Sequence, residues 1–193
     1  MPAAPAFDSS VAPVDAADLP ASWRPGCPVP PEELRRVTIR HWGFDDAVHQ
    51  GELVVHVDAV DAIEGVFRSL FDARFPLERV ELVDRYDGDD DRSMAANNTS
   101  AFNCREIAGR PGVWSEHAYG RAVDLNPVQN PNVSSSGRVE PPAGTAFTDR
   151  DPAAPGLIRA DGPAVTGFDA VGWSWGGNWS SSKDYQHFSA TGR

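Results

Sequence analysis

The element order of the sequence permits an α+β domain, and three observations make up that order: an apolar hairpin pattern, one stretch of helical periodicity behind it, and a return to strand-like segments toward the C-terminus. Over 36–56, Val37, Ile39, Trp42 and Phe44 are followed by Leu53, Val54 and Val55, with Gly43 and Gly51 as punctuation, which is the pattern of two short strands. Asp58 is placed to cap a helix. Behind it Val60, Ile63, Phe67, Leu70 and Phe71 recur at three- and four-residue steps, so an amphipathic helix is expected to about Arg74, stopped by Pro76. A strand is expected over 80–83 and a polar turn feeding another over 97–105. The acidic run 87–91 reads as a solvated turn rather than a calcium loop, because the glycine and terminal glutamate of an EF-hand are out of register. Residues 163–171 predict a short helix with Pro163 in its first turn, and 184–188 the last strand.

The chain has 193 residues, enough for one domain with a real core. Residues 1–35 are rich in Ala, Pro and Asp and read as a tail that wraps or trails, with Trp23 and Cys27 as its anchors; 36–193 is the folded domain. A formal net charge of −11 argues against nucleic acid and against an anionic membrane surface, since both reward Lys and Arg. No apolar run is long enough to cross a membrane, and the N-terminus has neither a basic nor an apolar signal region. After Asn126-Pro127 about 35 residues are rich in Pro, Ser, Gly and Asn, a structureless span of the kind that serves as a lid or cleft wall.

The chemistry concentrates in two places. His117 and Asp124 stand seven positions apart across Gly120, and His187 follows Asp184 by three. Two imidazoles and one carboxylate hold Zn²⁺ on three protein ligands with a fourth position open, the catalytic rather than the structural pattern. His117, Asp124 and His187 are therefore the expected ligands, and Asp184 is left free to act as a base. His41, His49 and His56 have no carboxylate at ligand spacing and are expected to be structural.

Ser-x-His-x-x-Gly-x-Ala-x-Asp at 115–124, then Asp-x-x-His at 184–187 behind the aromatic-glycine run of 172–179, resembles the zinc D-alanyl-D-alanine carboxypeptidase and L-alanyl-D-glutamate endopeptidase family. That family includes VanY-type carboxypeptidases and phage endolysins. The resemblance implies a small, largely antiparallel sheet with helices packed on one side, hedgehog-like in arrangement, and 36–193 as a catalytic domain. It implies hydrolysis of peptidoglycan stem peptides by a monomer that is secreted or held in the cell envelope. It also implies that zinc polarises the peptide carbonyl while Asp184 takes the proton of the attacking water and passes it to the leaving amine. An arginine ahead of the first motif is expected to face the oxyanion or a substrate carboxylate. Arg105 is preferred over Arg92, because Arg92 sits in the acidic turn where a surface ion pair accounts for it. Ser115, Tyr119 and Trp175 are the expected substrate contacts, and Arg121 is at most an orienting residue. Cys27 and Cys104 are either two free thiols or one disulfide; export, which the cell-wall substrate implies, favours the disulfide.

Two rival readings are a zinc-containing cell-wall peptide-binding module without catalysis and a serine hydrolase on Ser115 and His117. An intact base candidate at Asp184 argues against the first. The absence of nucleophile-elbow glycines around Ser115 argues against the second.

Overall fold

The hairpin sets the frame. In the computed structural model, which describes residues 5–150 and 154–192, strand β1 (Ser9–Pro13) pairs antiparallel with β2 (Leu34–Trp42), and β2 pairs with β3 (Val48–His56). Alternation decides what each face buries. Val37, Ile39, Leu53 and Val55 turn toward helix α1 (Val60–Asp72), whereas Leu34 and Val54 turn to the other side and meet Val14, Leu19, Val29 and Phe102. Both faces of the hairpin are thus covered at the β3 end, which is why Leu53, Val54 and Val55 form an unbroken apolar run.

The helix forms where its periodicity places it, with Ile63, Val66, Phe67 and Leu70 almost fully buried. Its start differs from expectation. A 3-10 turn over Val57–Ala59 precedes it, capped by the His56 ring, and the Asp58 carboxylate is taken by His56 and Arg121 instead of capping backbone. The strand expected over 80–83 shrinks to β4 (Arg79–Val80), parallel to β5 (Asn98–Thr99), because Val83 begins another 3-10 turn. Between them Asp89 caps a short helix, α2 (Asp90–Ala95), which starts within the run read as an acidic turn and continues beyond it.

Strand β6 (Ala122–Asp124) lies beside β11 (His187–Ser189), which also pairs with β9 (Ser174–Trp175). Helix α3 (Pro163–Ala170) packs on α1, and Phe168 stacks on Phe188 with ring centroids 4.0 Å apart. The span expected to be structureless contains β7 (Asn132–Val133), β8 (Val139–Glu140) and a 3-10 stretch over Pro142–Phe147. With β10 (Lys183–Asp184) these strands make a separate sheet in the order β10-β7-β8. The final strand expected over 184–188 is therefore two strands in two sheets. The molecule is α+β with mostly antiparallel pairing, divided into several small sheets.

The N-terminal stretch has more anchors than Trp23 and Cys27. Val14, Leu19 and Val29 are buried, and the Ser22 hydroxyl donates to Asp84 at 2.6 Å. Single apolar residues between prolines leave no periodic signal, so packing against the outer hairpin face is visible only in three dimensions. Cys27 and Cys104 are bonded to each other and fasten this stretch beside the segment that leads to the candidate site, which is a strand only at Asn98–Thr99 and irregular at Cys104, not the strand expected through 105.

Candidate metal centre

His117 is buried in a 3-10 turn, Glu116–Tyr119, whose geometry is set locally. The Ser115 hydroxyl accepts from the His117 N–H at 3.3 Å, and Gly120 closes the turn in the left-handed region at φ 65°. A side chain at Gly120 would be strained by that φ and would also place Cβ 2.6 Å from the His56 nitrogen. The turn delivers the chain directly into β6. There Asp124 stands opposite His187 in the β6/β11 register, so the two side chains leave the same face of the ladder.

Three side chains converge. His117 Nε2 lies 3.2 Å from an Asp124 oxygen and 3.3 Å from His187 Nδ1, which is 3.0 Å from the other Asp124 oxygen. His117 Nδ1 donates to the Ala101 carbonyl at 2.6 Å; since that oxygen can only accept, the proton sits on Nδ1 and the Nε2 lone pair faces the cluster. Zinc held tetrahedrally by nitrogen and oxygen at about 2.0–2.1 Å separates its ligand atoms by roughly 3.3–3.4 Å. The observed spacings, of which the two to Asp124 fall on different oxygens, are within a few tenths of an ångström of that, so the three side chains stand close enough to offer one atom each to the ion. All three side chains are buried. Burial pushes the Asp124 carboxyl upward in pKa, but the His117 and His187 imidazoles hold it well below the ordinary carboxylate range, ionised as a ligand must be.

Asp184 is set differently. It stands in β10, and its Oδ2 accepts from Asn132 Nδ2 at 3.1 Å, whereas Oδ1 is sealed from solvent with no partner in hydrogen-bond range. Burial, together with the charge of Asp124, pushes its pKa up to about 6, only partly offset by His187 and His117. The Asp124 carboxylate is thus held ionised throughout, whereas that of Asp184 exchanges its proton closer to neutral pH, a division that suits a ligand and a base. Gly176 packs against the back of Asp184, where a Cβ would lie 2.6 Å from the Asp184 carbonyl oxygen.

Other expected residues fall into different surroundings. Ser115 serves His117 as a cap. Tyr119 packs beside the N-terminal apolar cluster. Trp175 is a core residue that donates its indole N–H to the Tyr185 carbonyl at 2.8 Å. The aromatic ring at the centre is Trp179, 5.5 Å from the His187 ring, in a loop whose Gly177 and Trp179 carbonyls accept from the Lys183 ammonium. Arg105 is ion-paired to Asp90 at 2.8 Å and has a buried Nε–H without a partner, while Arg92 pairs with Asp87 at the surface. Arg121 pairs with Asp58 at 2.6 Å and steadies the chain between Gly120 and β6. His41 and His49 face each other across the hairpin, His49 bonds Asp45, and His56 lies between Glu33 and Asp58.

Asn132 and the Ala101 carbonyl were beyond sequence reasoning as parts of the site. A backbone oxygen has no sequence signature, and Asn132 lies in a span without periodicity. Trp179 stood among several tryptophans of one run, which the sequence could not rank.

Residues 108–190 match the family model described as D-alanyl-D-alanine carboxypeptidase. The match supports a peptidase. It takes in His117, Asp124, Asp184 and His187 and begins after Arg105. No curated protein and no solved structure matches the chain.

Proposed function

We propose that this protein is a zinc-dependent peptidase that hydrolyses peptide bonds in bacterial peptidoglycan stem peptides, secreted or held in the cell envelope, with the hedgehog-like arrangement the motifs imply. The observation that carries the proposal is the pairing of a buried His117–Asp124–His187 donor set with a second carboxylate, Asp184, whose Oδ1 has no protein partner. A module that only bound zinc would have no use for that second, desolvated carboxylate.

His117 Nε2, His187 Nδ1 and an Asp124 oxygen would hold the ion. When bound, zinc supplies a Lewis acid for the scissile carbonyl and acidity for the attacking water. Asp184 Oδ1 accepts the proton that leaves the water and delivers it to the departing amine, a role for which a pKa near the working pH is best suited. Arg105 is the positive group proposed for the oxyanion or a substrate carboxylate, its unpartnered Nε–H being the supporting observation. Full turnover by Arg105→Gln with zinc retained would remove it from that role.

The test is digestion of a synthetic stem pentapeptide ending in D-alanyl-D-alanine, followed by mass spectrometry. Loss of one alanine identifies a carboxypeptidase and release of the N-terminal L-alanine an L-alanyl-D-glutamate endopeptidase. Binding of the peptide without any cleavage by the zinc-loaded protein would refute catalysis and leave the binding module.

A further inference from the structure

We infer that Asn132 is a positioning residue for Asp184, holding one carboxylate oxygen so that the other is the one that works. The inference rests on the reading of Asp184 as the base.

The geometry follows from register. Asn132 and Asp184 are directly opposed in the antiparallel β7/β10 pair, so their side chains leave the same face of the sheet. A slip of one residue would send Asn132 to the other face. Slippage is resisted because β7 is the central strand, paired on its far side with β8, where Glu140 opposes Asn132. The hydrogen bond that results runs from Asn132 Nδ2 to Asp184 Oδ2 at 3.1 Å. Oδ1 has no partner within hydrogen-bond distance, although the Gln186 side chain also favours the ionised carboxyl.

The chemistry calls for that asymmetry. A carboxylate with two equivalent free oxygens can rotate about its terminal torsion, which is broad and weakly restrained. Anchoring Oδ2 removes that freedom and leaves Oδ1 as the proton acceptor. An amide suits the task, because it offers an N–H to the ionised carboxyl and carries no charge that would compete with the neighbouring metal ligands. Gly176 closes the other side, its missing side chain leaving space for Asp184. The segment between the two motifs therefore contributes to the reacting centre itself, beyond forming a wall.

The experiment compares Asn132→Leu and Asn132→Asp with the parent and with Asp184→Ala, as zinc-loaded full-length proteins acting on the peptide the parent cleaves. Leu removes the donor at similar size, and Asp keeps the shape while replacing the donor with an acceptor. Each is expected to lower kcat by about 10- to 100-fold, the range for outer hydrogen-bond partners, with KM within about twofold and zinc content and thermal unfolding unchanged. Asn132→Leu should add little to the loss in Asp184→Ala, because the two residues act through one atom. Normal kcat in both Asn132 variants, with Asp184→Ala inactive, overturns the inference and leaves the proposed function standing. Loss of zinc or of the fold in both makes Asn132 merely structural and also overturns it. Normal turnover by Asp184→Ala overturns the underlying reading as well.

Discussion

Replacing Asp184 by Asn should make the metal-free protein more stable at alkaline pH and leave it unchanged in acid. Burial and the Asp124 charge raise the Asp184 carboxyl from 3.8 to about 6. The folded state thus binds this proton more tightly than the unfolded chain does. Its contribution is fully present below about pH 4 and is lost as pH rises through 6, so that above pH 7 the ionised group costs the fold about 3 kcal/mol, from roughly 2 units at 1.36 kcal/mol each. Asn has the same shape, retains an oxygen for Asn132 to bond, and carries no charge. At pH 8 the variant should therefore gain about 3 kcal/mol, or roughly 6–12 °C in Tm for a chain of this size. At pH 4 the gain should vanish. The assay is thermal or urea unfolding of chelator-treated parent and variant at pH 4, 6 and 8. Adding zinc should shrink the gain, since the cation stabilises the carboxylate. A gain from Asp184→Asn that is absent at pH 8, or equal at all three pH values, would refute the electrostatic account of this residue.

Elemental analysis should find about one zinc per chain, and His117→Ala should lose most of it, whereas unchanged zinc would disprove the ligand set. Asp184→Ala should keep its zinc while peptide hydrolysis falls by roughly 10²- to 10⁴-fold, but His187→Ala should lose metal and activity together; equal metal loss in both would make Asp184 a ligand. Gly176→Ala would drive a Cβ to 2.6 Å from the Asp184 carbonyl oxygen, so it should cost about 1–3 kcal/mol in unfolding measurements and depress turnover; a neutral result would show that β10 yields freely. Thiol titration under denaturing, non-reducing conditions should find no free sulfhydryl, and reduction should destabilise the protein by about 2–5 kcal/mol; two titratable thiols would disprove the bond.

What the sequence determined by itself was whatever is written in local order. The core side of α1 was legible because an amphipathic helix must repeat its apolar residues at helical spacing, and the hairpin because Val37, Ile39 and Trp42, then Leu53, Val54 and Val55, are short apolar segments punctuated by Gly43 and Gly51. The candidate donor set was legible because zinc restricts the residue types able to hold it, and a short turn through Gly120 ties His117 to Asp124 within one segment. The tertiary structure decided what depends on register and on contacts between distant segments. His187 meets Asp124 because β11 lies antiparallel to β6 in one pairing, and Asn132 meets Asp184 because β7 lies beside β10 in another. Neither pairing is encoded near either residue. The same holds for the burial of Val14, Leu19 and Val29 and for the placing of Trp179, not Trp175, beside His187. A side chain's chemical type is a property of the sequence, but its neighbours, and so its pKa and its free lone pairs, exist only once the chain has closed around it.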